Sequence, residues 1–318
     1  MKTRKLADLE VSAIGLGCMG MTHAYGAPSE DAPMIELMHQ AFDLGITLFD
    51  TAECYTGVRE DGTTAYNEEL VGKGLKGIRD QVVLATKCGV THTSHGLDCD
   101  ARPEVIRASI EGSLRRLQTD HVDLYYLHRP DPKVPVEVVA ETMAELIAEG
   151  KILRWGVSEH SVDDIRRAHK ICPLTVVQSR YAMIYREHES DGVLDACEEL
   201  GIGYVAYSPL GNGFLSAAYD KDSTFEQGVD YRSFLAAYKP EEQDRARPLS
   251  NLVRAIAEAH GATSAQVALA WTMRKPFVVP IPGTRKLHRL QENAGSMDLV
   301  LTQDELQALE ECLDQLGY

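Results

Sequence analysis

Short runs of consecutive apolar residues alternate along this chain with longer stretches whose apolar positions recur every three or four residues. The short runs are 12–16 (SAIGL), 46–50 (ITLFD), 82–87 (VVLATK), 122–128 (VDLYYLH), 152–158 (ILRWGVS), 174–179 (LTVVQS), 203–208 (GYVAYS) and 277–283 (FVVPIPG). Most are continuously apolar rather than alternating, which predicts parallel strands covered on both faces. The intervening stretches predict amphipathic helices. One ends at Gly45, a second follows Asp100 as its N-cap with Pro103 in the first turn, and others end at Gly150 and Gly201. Ser161 is placed to cap a helix over 162–171, and Thr302 with Glu305 has the spacing of a capping box before the last helix.

Strand then helix, repeated to eight strands, is the rhythm of a (β/α)8 TIM barrel, a single α/β domain over 1–318. A doubly wound sheet usually has fewer strands. The interval between strands seven and eight is unusually long and polar. In a barrel it forms a loop on the catalytic face, and residues 212–245 are expected to fold over a ligand as a clasp.

The stretch VSAIGLGCMGM places Gly15, Gly17 and Gly20 in a G-x-G-x-x-G pattern after an apolar run. A dinucleotide fingerprint would also need a helix opening at the third glycine and an acidic residue about 20 positions on. Here Gly26 and Pro28 break any helix, and the next strand-ending acid, Asp50, is too far away. The pattern is read as a strand and a glycine-rich loop, with the next helix starting at Ser29 or Asp31.

Composition narrows the function classes. The chain has 318 residues, 44% of them hydrophobic, and a formal net charge of -16. A large core is expected, and nucleic-acid binding is not, because the carboxylate excess repels phosphate backbones. An anionic ligand must therefore meet a local cluster of Arg or Lys. Seven cysteines without framework spacing read as reduced thiols. No signal-peptide core or membrane-length apolar run is visible, so a cytoplasmic protein with no membrane association is expected.

In a barrel, chemistry sits at the C-terminal ends of the strands. Those ends carry Asp50, Lys87, His128, Ser158, Gln178, Tyr207 and Ser208, with Tyr55 in the loop after Asp50. A charge that ends an apolar strand is often only the point where chain meets water. Asp, Lys and His ending three successive strands, with a Tyr in the first of those loops, form a set with a chemical logic. A phenol is a poor proton donor near neutrality, and a neighbouring Lys⁺ is expected to lower its pKa. Asp50 would neutralise and orient Lys87, and His128 would hydrogen-bond a carbonyl oxygen or relay protons. Together they suit protonation of an alkoxide as it forms.

At these residues the chain resembles the aldo-keto reductase family, and the likeness spans nearly its whole length. GITLFDTAECYTG, VVLATKCG and DLYYLHRPD resemble the family's Asp-to-Tyr, Lys and His segments. RWGVSEH, VVQSRY, VAYSPLGNGFLS and IPGTRKLHRLQEN resemble its cofactor segments. The resemblance implies an NADPH-dependent barrel that reduces a small-molecule carbonyl substrate, with a tetrad of Asp50, Tyr55, Lys87 and His128 and Tyr55 as general acid. It implies nicotinamide contacts at Ser158, Gln178 and Tyr207, and a pyrophosphate path along Ser208, Leu210 and Gly211. Gly283, Thr284, Arg285 and Arg289 follow the last strand, with Arg289 on a 2′-phosphate, Arg285 flanking the adenine, and Glu292 and Asn293 at the base. The flavour is that of the bacterial, plant and channel-subunit-like branches. In the mammalian aldose-reductase branch an Asn follows the Ser of GVS, where this chain has Glu159. Met21, Thr22 and Tyr25 are placed by the resemblance at the substrate pocket, with loop packing as the alternative.

Arg285, Lys286 and Arg289 crowd cations at a helix start, where they oppose the helix dipole unless an anion lies between them. A 2′-phosphate meets that need, so NADPH/NADP⁺ is favoured over NADH; a solvated basic helix start is the alternative. His92, His95 and Cys99 have only loose metal spacing, and no metal is expected. A competing reading is an NADPH-binding, redox-sensing regulatory subunit with slow turnover. The lack of an extended segment before the first strand leans against it.

Overall fold

A computed structural model describes residues 2–93, 95–219 and 223–318. Its central sheet has eight parallel strands, in chain order β1 (Leu16–Gly17), β2 (Leu48–Asp50), β3 (Val83–Cys88), β4 (Leu124–Leu127), β5 (Trp155–Ser158), β6 (Val176–Arg180), β7 (Gly203–Tyr207) and β8 (Val278–Pro280). Each strand pairs with the next. A parallel bridge from Gly17 to Gly283, and a bond from Gly15 N–H to the Pro280 carbonyl at 2.9 Å, join β1 to β8 and close the barrel. Each of the eight expected runs overlaps one of these strands. The first is mostly not barrel wall, however: Leu9–Ser12 pairs antiparallel with Thr3–Leu6, and only Leu16–Gly17 joins the barrel.

The closing seam explains the glycine pattern. A Cβ at Gly17 would lie 2.7 Å from the Ile281 carbonyl oxygen, and one at Gly15 would meet Ile281 and Leu48 at about the same range. These glycines let β1 and β8 approach. Gly20 sits in the 3-10 turn Met19–Met21, and the next helix begins only at Asp31.

Leu48, Ala85, Leu124, Tyr126, Val176, Val205, Val279 and Ile281 fill the barrel interior, and Leu6, Leu9 and Val11 of the N-terminal hairpin plug its lower end. The larger apolar cluster lies between sheet and helices. Helices Asp31–Asp43, Asn67–Gly74, Pro103–Leu117, Val136–Ala148, Val162–Ile171 and Val193–Leu200 follow β1 to β6 in turn. Arg247–His260 and Ser264–Thr272 follow β7, and Leu287–Gly295 and Gln303–Leu316 follow β8.

Ser161 caps its helix through the Asp164 N–H, and Thr302 with Glu305 forms the capping box. The cap before Pro103 differs from expectation. Arg102 is the N-cap residue, and Asp100 instead accepts its N–H at 3.2 Å and its guanidinium. Asp100 thus lies two residues before the N-cap, in a salt bridge to Arg102. The hairpin pairing Thr56–Val58 with Thr64–Tyr66, and that pairing Val90–Thr93 with Gly96–Cys99, rise from the same end of the barrel as the strand-end side chains.

Candidate active site

The parallel register brings Asp50, Lys87, His128, Ser158, Gln178 and Tyr207 to one end of the barrel, because each lies within two residues of the C-terminal end of its strand. Lys87 is fully buried. Its Nζ donates to Asp50 Oδ1 at 2.5 Å, to the Thr51 carbonyl at 2.8 Å and to the Tyr55 hydroxyl at 3.3 Å. Gln178 Nε2 donates to the second Asp50 oxygen at 2.8 Å. An ammonium with three acceptors and a carboxylate with both oxygens engaged satisfy the requirement on buried charges.

Tyr55 is buried against this pair, with Lys87 Nζ 4.9 Å from its ring centre. The His128 ring meets it edge-on at 5.7 Å. Burial, followed by the Asp50 charge, holds the Tyr55 phenol well above the usual phenol range. The expected lowering by Lys87 is therefore not seen. Asp50 neutralises the ammonium, and desolvation of the phenolate is the larger effect. His128 moves the other way: burial, then the Lys87 and Arg129 cations, hold it well below the usual imidazole range. Its Nδ1 lies 3.4 Å from Cys54 Sγ, and burial pushes that thiol up to about 12. A proton-bearing phenol and a neutral imidazole thus face the same space.

Sequence reasoning missed three neighbours. His23 stacks on Tyr55 at 5.9 Å and holds its Nδ1 2.6 Å from the Thr56 carbonyl oxygen; His92 packs on His23 at 4.7 Å. Arg129 donates to Ser158 Oγ at 2.9 Å and reaches the Tyr207 hydroxyl at 3.5 Å. Arg129 had a signal, since it directly follows His128. His23 and His92 come from loops whose approach only the fold decides.

Met21 and Thr22 take the packing alternative. Both are fully buried, and Thr22 Oγ1 accepts from Asn67 Nδ2 at 2.8 Å. Tyr25 instead holds the long loop: its hydroxyl donates to Asn212 Oδ1 at 2.7 Å, it bridges to Asp230, and Arg232 lies 5.3 Å from its ring. Tyr231 N–H also donates to the Ala24 carbonyl at 2.7 Å. Segment 212–245 is thereby fastened to the loop after β1; residues 220–222 of the expected clasp lie outside the described residues. Ser208 has φ of 50° and Gly211 of 57°, so the chain turns sharply after β7.

After β8, Arg285 turns inward. Its Nε donates to the Gly20 carbonyl and Nη1 to that of Ala27 at 3.1 Å, while Nη2 is buried without a hydrogen-bond partner. Arg289 lies 6.0 Å from the ring centre of Tyr219. Asn293 is buried and Glu292 half-buried on helix Leu287–Gly295; Gly283 is exposed, and Thr284 Oγ1 accepts the Lys286 N–H at 3.0 Å. Glu159 has φ of 59°, and its carboxylate accepts the Arg180 N–H at 2.9 Å, so it folds onto β6. Among the described residues no group of three or more His, Cys, Asp or Glu is arranged to hold a metal ion.

The model of the Aldo/keto reductase family matches residues 13–314. Three solved structures are similar to this chain. A glycerol dehydrogenase from Gluconobacter oxydans has 27% identity and a TM-score of 0.87, covering 99% of this chain and 96% of its own. A thermostable aldo-keto reductase in complex with the inhibitor epalrestat has 31% identity and a TM-score of 0.76, covering 98% and 100%. An aldo/keto reductase from Klebsiella pneumoniae in complex with NADP and acetate has 29% identity and a TM-score of 0.74, covering 98% and 94%.

Proposed function

The chain belongs to the aldo/keto reductase family, and we propose that it reduces an aldehyde or ketone to the alcohol using NADPH, with Tyr55 as general acid. The observation that carries this reading is the Lys87 ammonium, hydrogen-bonded at once to Asp50 and to the Tyr55 hydroxyl inside a buried site.

The residues present fit the cofactor. Arg285 keeps a buried Nη2 without a hydrogen-bond partner beside the start of helix Leu287–Gly295, and Arg289 lies over an aromatic face there and forms no ion pair among the described residues. Both can take a phosphate, the ligand that a cationic helix start needs. Ser158, Gln178 and Tyr207 would hold the nicotinamide end, and Ser208, Leu210 and Gly211 the pyrophosphate. A bound NADPH supplies hydride.

The chain supplies the proton and its control. Tyr55 stays protonated because burial disfavours its phenolate, so the proton is present when a carbonyl oxygen gains charge. Lys87, 3.3 Å from that hydroxyl, stabilises the phenolate once the proton has left. Asp50 and Gln178 fix Lys87 in place, and His128, neutral and edge-on to Tyr55, orients the oxygen. A panel of aldehydes and ketones tested by the loss of NADPH absorbance, with NADH in parallel, decides the reading. Turnover of carbonyls with NADPH is expected; cofactor binding with no turnover of any carbonyl would overturn it.

A further inference from the structure

Lys87 and Arg129 both stand at the candidate site, and among the described residues Lys87 has a carboxylate counter-ion and Arg129 has none. Lys87 is paired with Asp50. Arg129, half-buried directly after His128, gives its hydrogen bonds to the His128 carbonyl at 2.6 Å, Ser158 Oγ at 2.9 Å and the Tyr207 hydroxyl at 3.5 Å, all neutral oxygens. Its Cζ lies 5.8 Å from the Tyr207 ring centre. No carboxylate pairs with it among the described residues. Glu159 also acts on the Tyr207 hydroxyl, but its carboxylate is tied to the Arg180 N–H.

We propose that Arg129 makes the nicotinamide pocket selective for the redox state of the cofactor, favouring the neutral dihydropyridine of NADPH over the cationic pyridinium of NADP⁺. The inference rests on the reading of Ser158 and Tyr207 as nicotinamide residues. The two forms of the cofactor differ at that ring by one hydride, whose addition removes the positive charge, and are otherwise alike. A fixed guanidinium touching two of the ring's three proposed contact residues, Ser158 and Tyr207, repels only the oxidised form. Because the site is partly buried, salt screens this repulsion less than it would at the surface. A ligand shifts an equilibrium only by its differential affinity. Here the difference opposes retention of the oxidised product, so the pocket releases NADP⁺ after each turnover and re-binds NADPH, with the overall equilibrium of the reaction unchanged. Glu159 acts in the opposite sense from the hydroxyl edge of Tyr207, which gives the proposal a second, independent sign.

The test is direct binding, by calorimetry or protein-fluorescence quenching, of NADPH and NADP⁺ separately to the wild type, Arg129→Gln, Arg129→Lys and Glu159→Gln. The wild type should favour NADPH by about tenfold, the factor that ~1.4 kcal/mol produces. Arg129→Gln should bring the ratio near unity, mainly by tightening NADP⁺; Arg129→Lys, which keeps the charge, should retain it. Glu159→Gln should widen it. Equal wild-type affinities, an unchanged ratio in Arg129→Gln, or equal tightening of both forms would overturn the inference while leaving the cofactor reading intact. A wild type that binds neither form would overturn the cofactor reading, and this inference with it.

Discussion

Gln178 Nε2 donates to Asp50 Oδ2 at 2.8 Å, while Lys87 takes the other oxygen of the same carboxylate. A residue expected to touch only cofactor is therefore also tied to the buried Asp50–Lys87 pair. Gln178→Ala should lower kcat as well as cofactor affinity, because Asp50 is freed to turn away from Lys87. Steady-state kinetics with NADPH varied separate the two roles: a rise in its KM with kcat unchanged would assign Gln178 to binding alone.

Tyr55→Phe should reduce carbonyl turnover by about 10²–10⁴-fold, the usual worth of a positioned general acid. NADPH affinity, titrated by fluorescence, should stay nearly unchanged, since the hydroxyl acts in the transition state. This variant isolates the chemistry better than Lys87→Met. The latter also leaves Asp50 buried without its cation, which should destabilise the fold by about 3–5 kcal/mol in a denaturant titration. For turnover, Asp50→Asn should be milder than either, as it loosens Lys87 without removing the acid, while it too leaves a buried charge unpaired. Near-normal kcat in Tyr55→Phe would sink the tetrad assignment.

The pH profile of reduction follows from the two shifted groups. Tyr55 is held above the phenol range and His128 below the imidazole range. Both therefore keep their working protonation states between about pH 6.5 and 10, the ordinary values of the two groups. Turnover at saturating NADPH should be flat across that window. A bell centred near neutrality would show that one of the two titrates within it.

The depressed imidazole also sets a sign for stability. Below about pH 6.5 the unfolded chain protonates His128 while the folded chain leaves it neutral, so the unfolded state binds more protons. Stability from this group is present above pH 6.5 and is lost as pH falls toward the depressed folded value. His92 and His160, lowered mainly by burial, act in the same direction. Thermal melting between about pH 5 and 7 should show a falling Tm on acidification, with a shallower slope in His128→Gln.

Strand-end residues were legible because a parallel strand needs a continuous apolar run and stops where a polar side chain meets the mouth of the barrel. That is why Asp50, Lys87, His128 and Ser158 could be read off in order. The Tyr55 shift was not legible: the sequence shows a lysine near a tyrosine, but not that Asp50 cancels its charge and that burial prevails. For Met21 and Thr22 the sequence leaves pocket lining and loop packing open. They are buried because Asn67, 45 positions beyond Thr22, folds back to hydrogen-bond it. His23 and His92 carry no periodic signal at all, and meet only because two separate βα loops converge.

Arg289 gives the sharpest test of cofactor choice. Its guanidinium faces the Tyr219 ring at 6.0 Å on the first turns of helix Leu287–Gly295 and forms no ion pair among the described residues. Lys286 and Arg285 add positive charge at the same helix start, where the dipole already disfavours it. A 2′-phosphate would relieve all three and gain charge-assisted, bidentate hydrogen bonds to Arg289. NADH, lacking that phosphate, leaves the cations unmatched. One hydrogen bond to a charged group is worth roughly 1.5–3 kcal/mol, so NADPH should bind at least about tenfold tighter than NADH. Arg289→Ala should weaken NADPH far more than NADH. The preference should shrink as salt rises, because a partly exposed ion pair is screened. Fluorescence titration of both cofactors against wild type and Arg289→Ala at two ionic strengths measures all three effects. If the substitution weakened the two cofactors alike, the cluster would be a solvated helix start and the phosphate would lie elsewhere.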